Sequence, residues 1–219
     1  MNIREIVNST PVIPLVTITD LAQALPIAQS LLRGGVTVIE VDLRTPVAFA
    51  AVEAMRKGFP DAIVGIGTLT RARDFAAADR AGAQFGVTPG LTAELARSSR
   101  GARFPLLPGV MTPTEVISAL EAGFNVLKLF PAHLAGGVGI LKAMAPLFPD
   151  VLFCPTGGIT RATAQDYLRQ PNVVCIGSSW PVSAELIAAK DWAGIEVLAR
   201  DAMSLRESCG QTTSDHEPS

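Results

Sequence analysis

The sequence predicts a single-domain α/β protein, a (β/α)8 TIM barrel with a short N-terminal helix. The chain of 219 residues is 48% hydrophobic and 17% charged, which suits strands that are buried on both faces of a parallel sheet. Short apolar runs alternate with helical segments, and Gly34, Gly82 and Gly123 stand where a helix should end and a strand begin. A doubly wound open sheet is the alternative, weakened because no Gly-x-Gly-x-x-Gly follows the first strand.

The elements follow from local signals taken in chain order. Residues 1–10 form the short helix. Later helices open at Asp20, at Thr45-Pro46 and at Thr112-Pro113, where a capping side chain precedes the first turn. The predicted strands are residues 11–16, 36–41, 62–65, 85–87, 105–108, the run around Lys128, 151–153 and 173–176. We assign residues 1–203 to the barrel and residues 204–219 to a polar, disordered C-terminal tail.

Charge and composition exclude several classes of function. A formal net charge of −2 favours neither nucleic acid nor an anionic membrane as a partner. No window approaches a membrane-spanning length, and the N-terminus lacks a signal-peptide profile, so we expect a cytoplasmic protein. The three cysteines have no metal-ligand spacing, and Cys154 and Cys175 stand in apolar strands as buried thiols. With His133 and His216 as the only histidines, we expect no metal centre and no cofactor.

Lys128 is the most unusual residue of the chain. The other three lysines have polar or helical surroundings, whereas Lys128 stands in the apolar run Val126–Phe130. An unpaired buried ammonium is unfavourable, so Lys128 either pairs with an acid or becomes a neutral amine, the form that attacks carbonyl carbons. The alternative is an edge-strand lysine whose head reaches water.

Glu40 is the predicted partner of Lys128, because it stands in the apolar second strand. Strands two and six are both even-numbered, so their inward side chains can share layers of the barrel interior. We therefore predict Lys128 as a nucleophile and Glu40 as its proton shuttle, with a purely structural Lys–Glu pair as the alternative.

Polar residues also follow the other strands at the carboxyl ends, where barrel enzymes place their chemistry. Arg44 and Thr68 suit a substrate carboxylate, although an isolated arginine is more often a surface ion-pair partner. The loops 155–160 and 177–179 suit a phosphate that is bound by backbone N–H groups, although a Gly-Gly pair alone fits any tight turn.

Several motifs together resemble the bacterial 2-keto-3-deoxy-6-phosphogluconate (KDPG) and 4-hydroxy-2-oxoglutarate (KHG) aldolases. The resemblance runs from about Pro11 to Met203 in the order of the family. The motifs are residues 39–45 (IEVDLRT), 65–68 (GIGT), 86–90 (GVTPG), 107–109 (LPG), 127–132 (LKLFPA), 153–159 (FCPTGGI) and 175–180 (CIGSSW).

The resemblance implies a metal-free class I aldolase that is assembled as a homotrimer. It makes Lys128 the Schiff-base lysine and Glu40 the general acid and base. The other roles it implies are Arg44 and Thr68 at the pyruvyl carboxylate, Pro89 and Phe130 as walls of the pyruvate pocket, Thr156 at the substrate hydroxyls, and Gly157, Gly158, Ser178 and Ser179 at the phosphate. The expected substrate is the phosphorylated 2-keto acid KDPG, and the expected products are pyruvate and glyceraldehyde 3-phosphate.

Two residues depart from the family pattern. Ser178 stands where glycine is common, beside the expected phosphate. A side chain at this position could keep the backbone from approaching the phosphate closely. Asp42 stands where threonine is common, and an inward Asp42 would raise the pKa of Glu40 by like-charge repulsion. Open alternatives are the galactonate epimer or KHG as substrate, a phosphosugar isomerase or synthase, and a non-catalytic metabolite-binding barrel.

Overall fold

The computed structural model describes the backbone of residues 1–210 and the side chains of residues 1–205, in which strands and helices alternate. The strands are β1 (Val12–Val16), β2 (Val38–Asp42), β3 (Ile63–Gly67), β4 (Gly86–Val87), β5 (Leu106–Leu107), β6 (Gly109–Val110), β7 (Val126–Leu129), β8 (Leu152–Pro155) and β9 (Ile176–Ser178). The α-helices are α1 (Ile3–Asn8), α2 (Ala24–Arg33), α3 (Ala48–Gly58), α4 (Ala72–Ala81), α5 (Ala93–Ser99), α6 (Pro113–Glu121), α7 (Val138–Met144), α8 (Arg161–Leu168), α9 (Ala184–Ala189) and α10 (Trp192–Gly210). Short 3-10 helices cover Leu21–Gln23 and Trp180–Val182.

The strands form two parallel sheets, so the predicted closed barrel of eight strands is wrong. Six strands pair in the order β5-β4-β3-β2-β1-β9, and three pair in the order β6-β7-β8. Helices connect most successive strands, as the alternation predicted, but the hydrogen-bonded ladder does not run around a single ring. The fold is therefore an α/β fold with two separate parallel ladders.

One break in the ladder lies at Pro108, within the predicted fifth strand. β5 pairs with β4, whereas β6, two residues later, pairs with β7. The carbonyl of Pro108 accepts a hydrogen bond from the N–H of Lys128 at 2.8 Å, but proline has no N–H to continue a ladder. One predicted strand therefore becomes two short strands in different sheets.

The other break lies between β8 and β9. These strands are linked by the isolated bridges Phe153↔Val173 and Thr156↔Gly177 in place of a continuous ladder. The predicted eighth strand, residues 173–176, is shifted towards the C-terminus, because the regular strand covers Ile176–Ser178. The two sheets therefore approach each other here without merging.

Apolar side chains fill the space enclosed by the two sheets. The predicted N-terminal helix is present as α1, and its Ile6 and Val7 are buried in this interior. The same cluster receives side chains from strands of both sheets, namely Ile13, Val38, Phe85, Val87, Leu107, Val126 and Cys154. Two larger apolar clusters lie between the sheets and the surrounding helices. Val38 and Val126 are thus interior residues, which sets the direction of the side chains two positions further along each strand.

The C-terminal helix α10 extends past the predicted end of the domain. It continues to Gly210, so the predicted boundary between residues 203 and 204 falls inside a helix. Residues 211–219, the rest of the predicted tail, lie outside the described residues. Within the described part of the chain, no helix combines the length and the apolar character needed to cross a membrane.

Candidate active site

Lys128 and Glu40 meet inside the protein. Nζ of Lys128 on β7 lies 3.4 Å from Oε1 of Glu40 on β2, and the two side chains are 5% and 3% exposed. Each stands two residues after an interior valine, Val126 or Val38, so strand alternation points both inward. The pair therefore connects the two sheets across the interior, as predicted from the sequence.

Burial dominates the electrostatics of Glu40. Removal from water raises the pKa of Glu40 above its ordinary value of 4.5, and Lys128 offsets part of this effect by attraction. The negative charge of Asp42 raises the pKa further, whereas Arg44 lowers it slightly. The net direction is upward, so this carboxyl can both donate and accept a proton closer to neutral pH than an exposed glutamate can. The direction of the Asp42 effect is the one predicted from the sequence.

Gly67 provides the space that Glu40 occupies. It ends β3, whose register places Gly67 opposite Asp42. A Cβ at position 67 would lie 2.0 Å from Oε1 of Glu40, a distance at which atoms overlap. Sequence reasoning did not assign a role to Gly67. Gly65 and Gly67 both lie in β3, and glycine within a strand can indicate that another group approaches the backbone closely.

The predicted carboxylate-binding residues Arg44 and Thr68 are brought together around Asp42. Asp42 is buried, forms an ion pair with Nη2 of Arg44 and accepts a hydrogen bond from the Thr68 hydroxyl at 3.1 Å. Thr17, which follows β1, donates to Asp42 at 3.2 Å and accepts from Arg44 at 3.1 Å. Thr17 was missed by sequence reasoning, and its signal was a hydroxyl just past the end of the first strand.

Phe130 and Pro89 both lie close to Lys128. Nζ of Lys128 is 5.3 Å from the centroid of the Phe130 ring, within the range of a cation–π contact. The backbone of Pro89 lies against Gly109, where an added Cβ would be 2.3 Å from the Pro89 carbonyl carbon. Because Gly109 pairs with Lys128 in the β6–β7 ladder, Pro89 is one strand away from the lysine.

A cavity of about 650 Å³ opens beside Phe130, which is part of its wall. Most of the predicted substrate-binding residues line it, namely Arg44, Phe130, Thr156, Gly157, Gly158, Ser178 and Ser179. Lys128, Glu40, Thr68 and Pro89 are not part of the lining. Phe130 connects the two regions, because it lines the cavity and its ring faces Nζ of Lys128.

The loop after β8 has a backbone shape that glycine favours. Gly157 and Gly158 have φ values of +100° and +74°. A Cβ at Gly158 would lie 2.6 Å from Cβ of His133, so a side chain would be both strained and crowded. Thr160, two residues after Gly158, is the N-cap residue of α8. Such a loop exposes backbone N–H groups of the kind that bind anions.

Ser178 connects this loop to the loop after β9. Its hydroxyl donates to the carbonyl of Ile159 at 2.7 Å, and the N–H of Trp180 lies 3.5 Å from the same oxygen. The backbone of Ser178 does not adopt a positive φ, so the position does not need glycine. The Ser178 hydroxyl therefore links the loop after β9 to the loop after β8.

No metal centre is formed by the described residues. Among them, no group of three or more histidine, cysteine, aspartate or glutamate side chains could hold a metal ion. His133, the histidine in the described part, is exposed and packs beside Gly158. The chemistry of the site is that of a buried amine beside a buried carboxyl.

Comparison with known families decides what this arrangement is. Residues 3–198 match the family model described as KDPG and KHG aldolase. The chain belongs to the KDPG and KHG aldolase family. It is 43% identical to the KHG/KDPG aldolase of Escherichia coli (strain K12) over 200 residues, which cover 91% of this chain and 94% of that relative.

Solved structures of family members share the fold of this chain. One is KDPG aldolase from Legionella pneumophila with pyruvate captured at low pH as a covalent carbinolamine intermediate. Its TM-score is 0.90 at 42% identity, with 92% of this chain and 98% of that chain covered. Another is the KDPG aldolase of Zymomonas mobilis ZM4 with 3-phosphoglycerate, with a TM-score of 0.88 at 42% identity and coverage of 94% and 96%.

Family membership confirms the resemblance that the sequence motifs indicated. This member of the KDPG and KHG aldolase family is a class I aldolase, a carbon–carbon lyase. The buried Lys128–Glu40 pair places an amine beside a carboxyl, and imine formation uses an amine and a nearby proton carrier.

Proposed function

We propose that the protein cleaves 2-dehydro-3-deoxy-6-phosphogluconate (KDPG) to pyruvate and glyceraldehyde 3-phosphate through an imine on Lys128. The observation that carries this proposal is the buried pair in which Nζ of Lys128 lies 3.4 Å from Oε1 of Glu40. An isomerase or a binding protein on a similar fold has no need of a lysine beside a carboxyl of raised pKa.

The reaction begins when the Lys128 amine attacks the C2 carbonyl of the 2-keto acid. Glu40 delivers a proton to the carbinolamine hydroxyl, water leaves, and a protonated imine forms. The Glu40 carboxylate then accepts the proton of the C4 hydroxyl as the C3–C4 bond breaks, and the bonding electrons move into the imine to give an enamine. Glyceraldehyde 3-phosphate leaves. Glu40 returns the proton to C3, and hydrolysis of the imine releases pyruvate and restores Lys128.

The remaining residues bind the two ends of the substrate. Arg44 and Thr68 supply N–H and O–H donors for the substrate carboxylate, and Pro89 and Phe130 enclose the pyruvyl group beside Lys128. Thr156, which lines the cavity, faces the substrate hydroxyls. The phosphate lies between the loops that contain Gly157, Gly158, Ser178 and Ser179, which is supported by their common position in the cavity wall.

Borohydride trapping tests the proposal directly. The protein is incubated with pyruvate and sodium borohydride, and its intact mass and peptide map are then measured. We expect a single stable adduct on the peptide that contains Lys128, because borohydride reduces the imine to a secondary amine. A folded protein that forms no adduct with excess pyruvate contradicts the proposal.

KHG is a second candidate substrate. It is supported by the 43% identity to an Escherichia coli enzyme named for both substrates. Cleavage of the corresponding C3–C4 bond in KHG gives pyruvate and glyoxylate by the same steps. Comparison of kcat/KM for KDPG, its galactonate epimer and KHG ranks the three substrates.

We further propose a homotrimer located in the cytoplasm. Exposed apolar side chains near and on α6 support association: Met111, Ile117 and Leu120 are 39%, 48% and 38% exposed. The buried Cys154, which forms no disulfide bond, is consistent with a reducing compartment. One chain has a mass of 22.9 kDa, and light scattering after size-exclusion chromatography should give three times that value. Ile117→Lys should lower the measured mass.

A further inference from the structure

Asp42 already occupies the donors that the proposed function assigns to the substrate carboxylate. The Thr68 hydroxyl donates its single proton to Oδ1 of Asp42 at 3.1 Å. Nη2 of Arg44 forms an ion pair with Oδ2 of the same carboxylate. Oδ2 also accepts a hydrogen bond from Thr17 at 3.2 Å. Asp42 thus has the contacts expected of a bound carboxylate.

The geometry of the guanidinium shows that Asp42 and a substrate carboxylate would need the same N–H groups of Arg44. Arginine binds a carboxylate with two parallel N–H bonds through either its side edge, Nε with Nη2, or its end, Nη1 with Nη2. Nη2 belongs to both edges. In this protein Nη2 of Arg44 donates to Asp42 and to the hydroxyl of Thr17. A second carboxylate cannot obtain two parallel bonds while Nη2 keeps these partners.

The side chains of Asp42 and Arg44 differ in their freedom to move. The side chain of Asp42 is 4% exposed, whereas that of Arg44 is 61% exposed and lines the cavity. Arg44 can therefore turn towards a ligand, but doing so leaves a buried carboxylate without its cation. Thr17 remains as a donor to Asp42, which offsets only part of the loss.

We propose that Asp42 is a specificity-determining residue that competes with the substrate carboxylate for Arg44 and Thr68. This inference rests on the proposed function, since it assumes that a 2-keto acid binds beside Lys128. The competition weakens binding of carboxylate substrates and does not affect a neutral carbonyl compound that leaves Arg44 on Asp42. Asp42 therefore reduces the preference of the enzyme for 2-keto acids over uncharged 2-keto compounds.

The test compares two ligands in the full-length enzyme by borohydride trapping. Pyruvate carries a carboxylate, and pyruvamide is its neutral amide of similar size. In Asp42→Asn the pyruvate concentration for half-maximal trapping should fall roughly tenfold, the effect of one charged hydrogen bond. The value for pyruvamide should change by less than about twofold, because a neutral ligand does not compete with Asp42 for Arg44.

Controls separate this effect from a change in structure. Asp42→Thr provides a second uncharged variant with a side chain that suits a strand, and Asp61→Asn removes an exposed aspartate elsewhere. Thermal unfolding identifies which Asp42 variant is folded, and Asp61→Asn should leave both half-saturation values unchanged.

The outcomes are distinct. A pyruvate value that stays the same or rises in both Asp42 variants overturns the inference, as does an equal shift for pyruvate and pyruvamide. If the wild-type enzyme forms no adduct with pyruvate, the proposed function itself is contradicted, and the inference falls with it.

Discussion

Nζ of Lys128 lies 3.4 Å from Oε1 of Glu40, although 88 residues separate them along the chain. Each side chain is almost completely buried, and neither would be stable there as an isolated charge. The contact gives each group a partner, and it also makes each one reactive, because a proton can pass between them. The same pair therefore explains both how the interior tolerates charge and how it performs chemistry.

Replacement of the lysine should separate these two roles. Lys128→Met should abolish retro-aldol turnover, because no other described amine lies beside Glu40. The variant keeps Glu40 without its cation, so the pKa of Glu40 should rise further. Lys142→Met, which changes an exposed lysine in α7, is the matched control and should retain activity. Turnover that survives in Lys128→Met, measured by pyruvate release, contradicts the mechanism.

The stability of Lys128→Met should depend on pH in a defined direction. A carboxyl whose pKa is raised in the folded state favours folding at low pH, where it is neutral, and that contribution is lost as the pH rises through the folded-state pKa. The free energy of unfolding should therefore fall with increasing pH, by up to about 1.4 kcal/mol per pH unit for one proton. Urea unfolding between about pH 5 and about pH 8 measures the slope. Lys142→Met keeps Lys128 beside Glu40 and should have a shallower slope; equal slopes would contradict the further rise in the pKa of Glu40.

The pH dependence of catalysis should reveal the influence of Asp42 on Glu40. The charged groups that act on Glu40 are Lys128, Asp42 and Arg44. Since burial and Asp42 raise its pKa, the acidic limb of kcat/KM should inflect above 4.5, the ordinary value. In Asp42→Asn the inflection should move to lower pH, because one repelling negative charge is gone. A limb that is identical in wild type, Asp42→Asn and the exposed control Asp61→Asn counts against this coupling.

Much of the site could be predicted because strand alternation and apolar surroundings are local signals. An acid and an amine in the apolar runs of β2 and β7 were expected to face inward, and the structure brings Glu40 and Lys128 together. Thr112 illustrates the same success in a helix cap, since its hydroxyl accepts from Glu115 N–H and Pro113 begins α6. In each case the structure follows from residues close together in the sequence or from the alternation of side chains along a strand.

The errors involve interactions between distant segments. The prediction of a closed barrel was wrong because a barrel closes only if every strand pairs with both of its neighbours. Pro108 interrupts the ladder between β5 and β6. Thr45 was expected to open the following helix, but its hydroxyl donates to the carbonyl of Ile18, and α3 begins at Ala48. The hydrogen bonds of Asp42 were missed for the same reason, since Thr17 and Thr68 follow two other strands, β1 and β3.

A methyl group at position 67 should disturb Glu40 without removing it. The Cβ of Gly67→Ala would lie 2.0 Å from Oε1 of Glu40, so the carboxyl must leave its present position beside Lys128. We expect kcat to fall by roughly a hundredfold, the lower range for loss of a positioned acid–base group. Gly139→Ala is the control, because a Cβ there meets nothing within 4 Å and alanine favours the helix. Wild-type kcat in a folded Gly67→Ala protein would mean that the position of Glu40 is not critical.

The phosphate loop offers a test in which two ligands should respond differently. Gly158 has a φ of +74°, and a Cβ there would lie 2.6 Å from Cβ of His133. Gly158→Ala should therefore shift the loop and raise KM for KDPG by about tenfold, a loss of about 1.4 kcal/mol of phosphate binding. Pyruvate has no phosphate, so its trapping on Lys128 should be unchanged.

Gly82→Ala is the matched control for backbone strain. Gly82 has a similar φ of +79° at the end of α4, where a Cβ meets only Arg56 Cγ at 3.9 Å. Both alanine variants are expected to lower the unfolding temperature, because alanine is strained at positive φ, but Gly82→Ala should leave KM for KDPG unchanged. If Gly158→Ala raised the half-saturation for pyruvate as much as KM for KDPG, its effect would be on the whole site. The assignment of this loop to the phosphate would then be wrong, because binding of the two ligands differs only beyond the pyruvyl group.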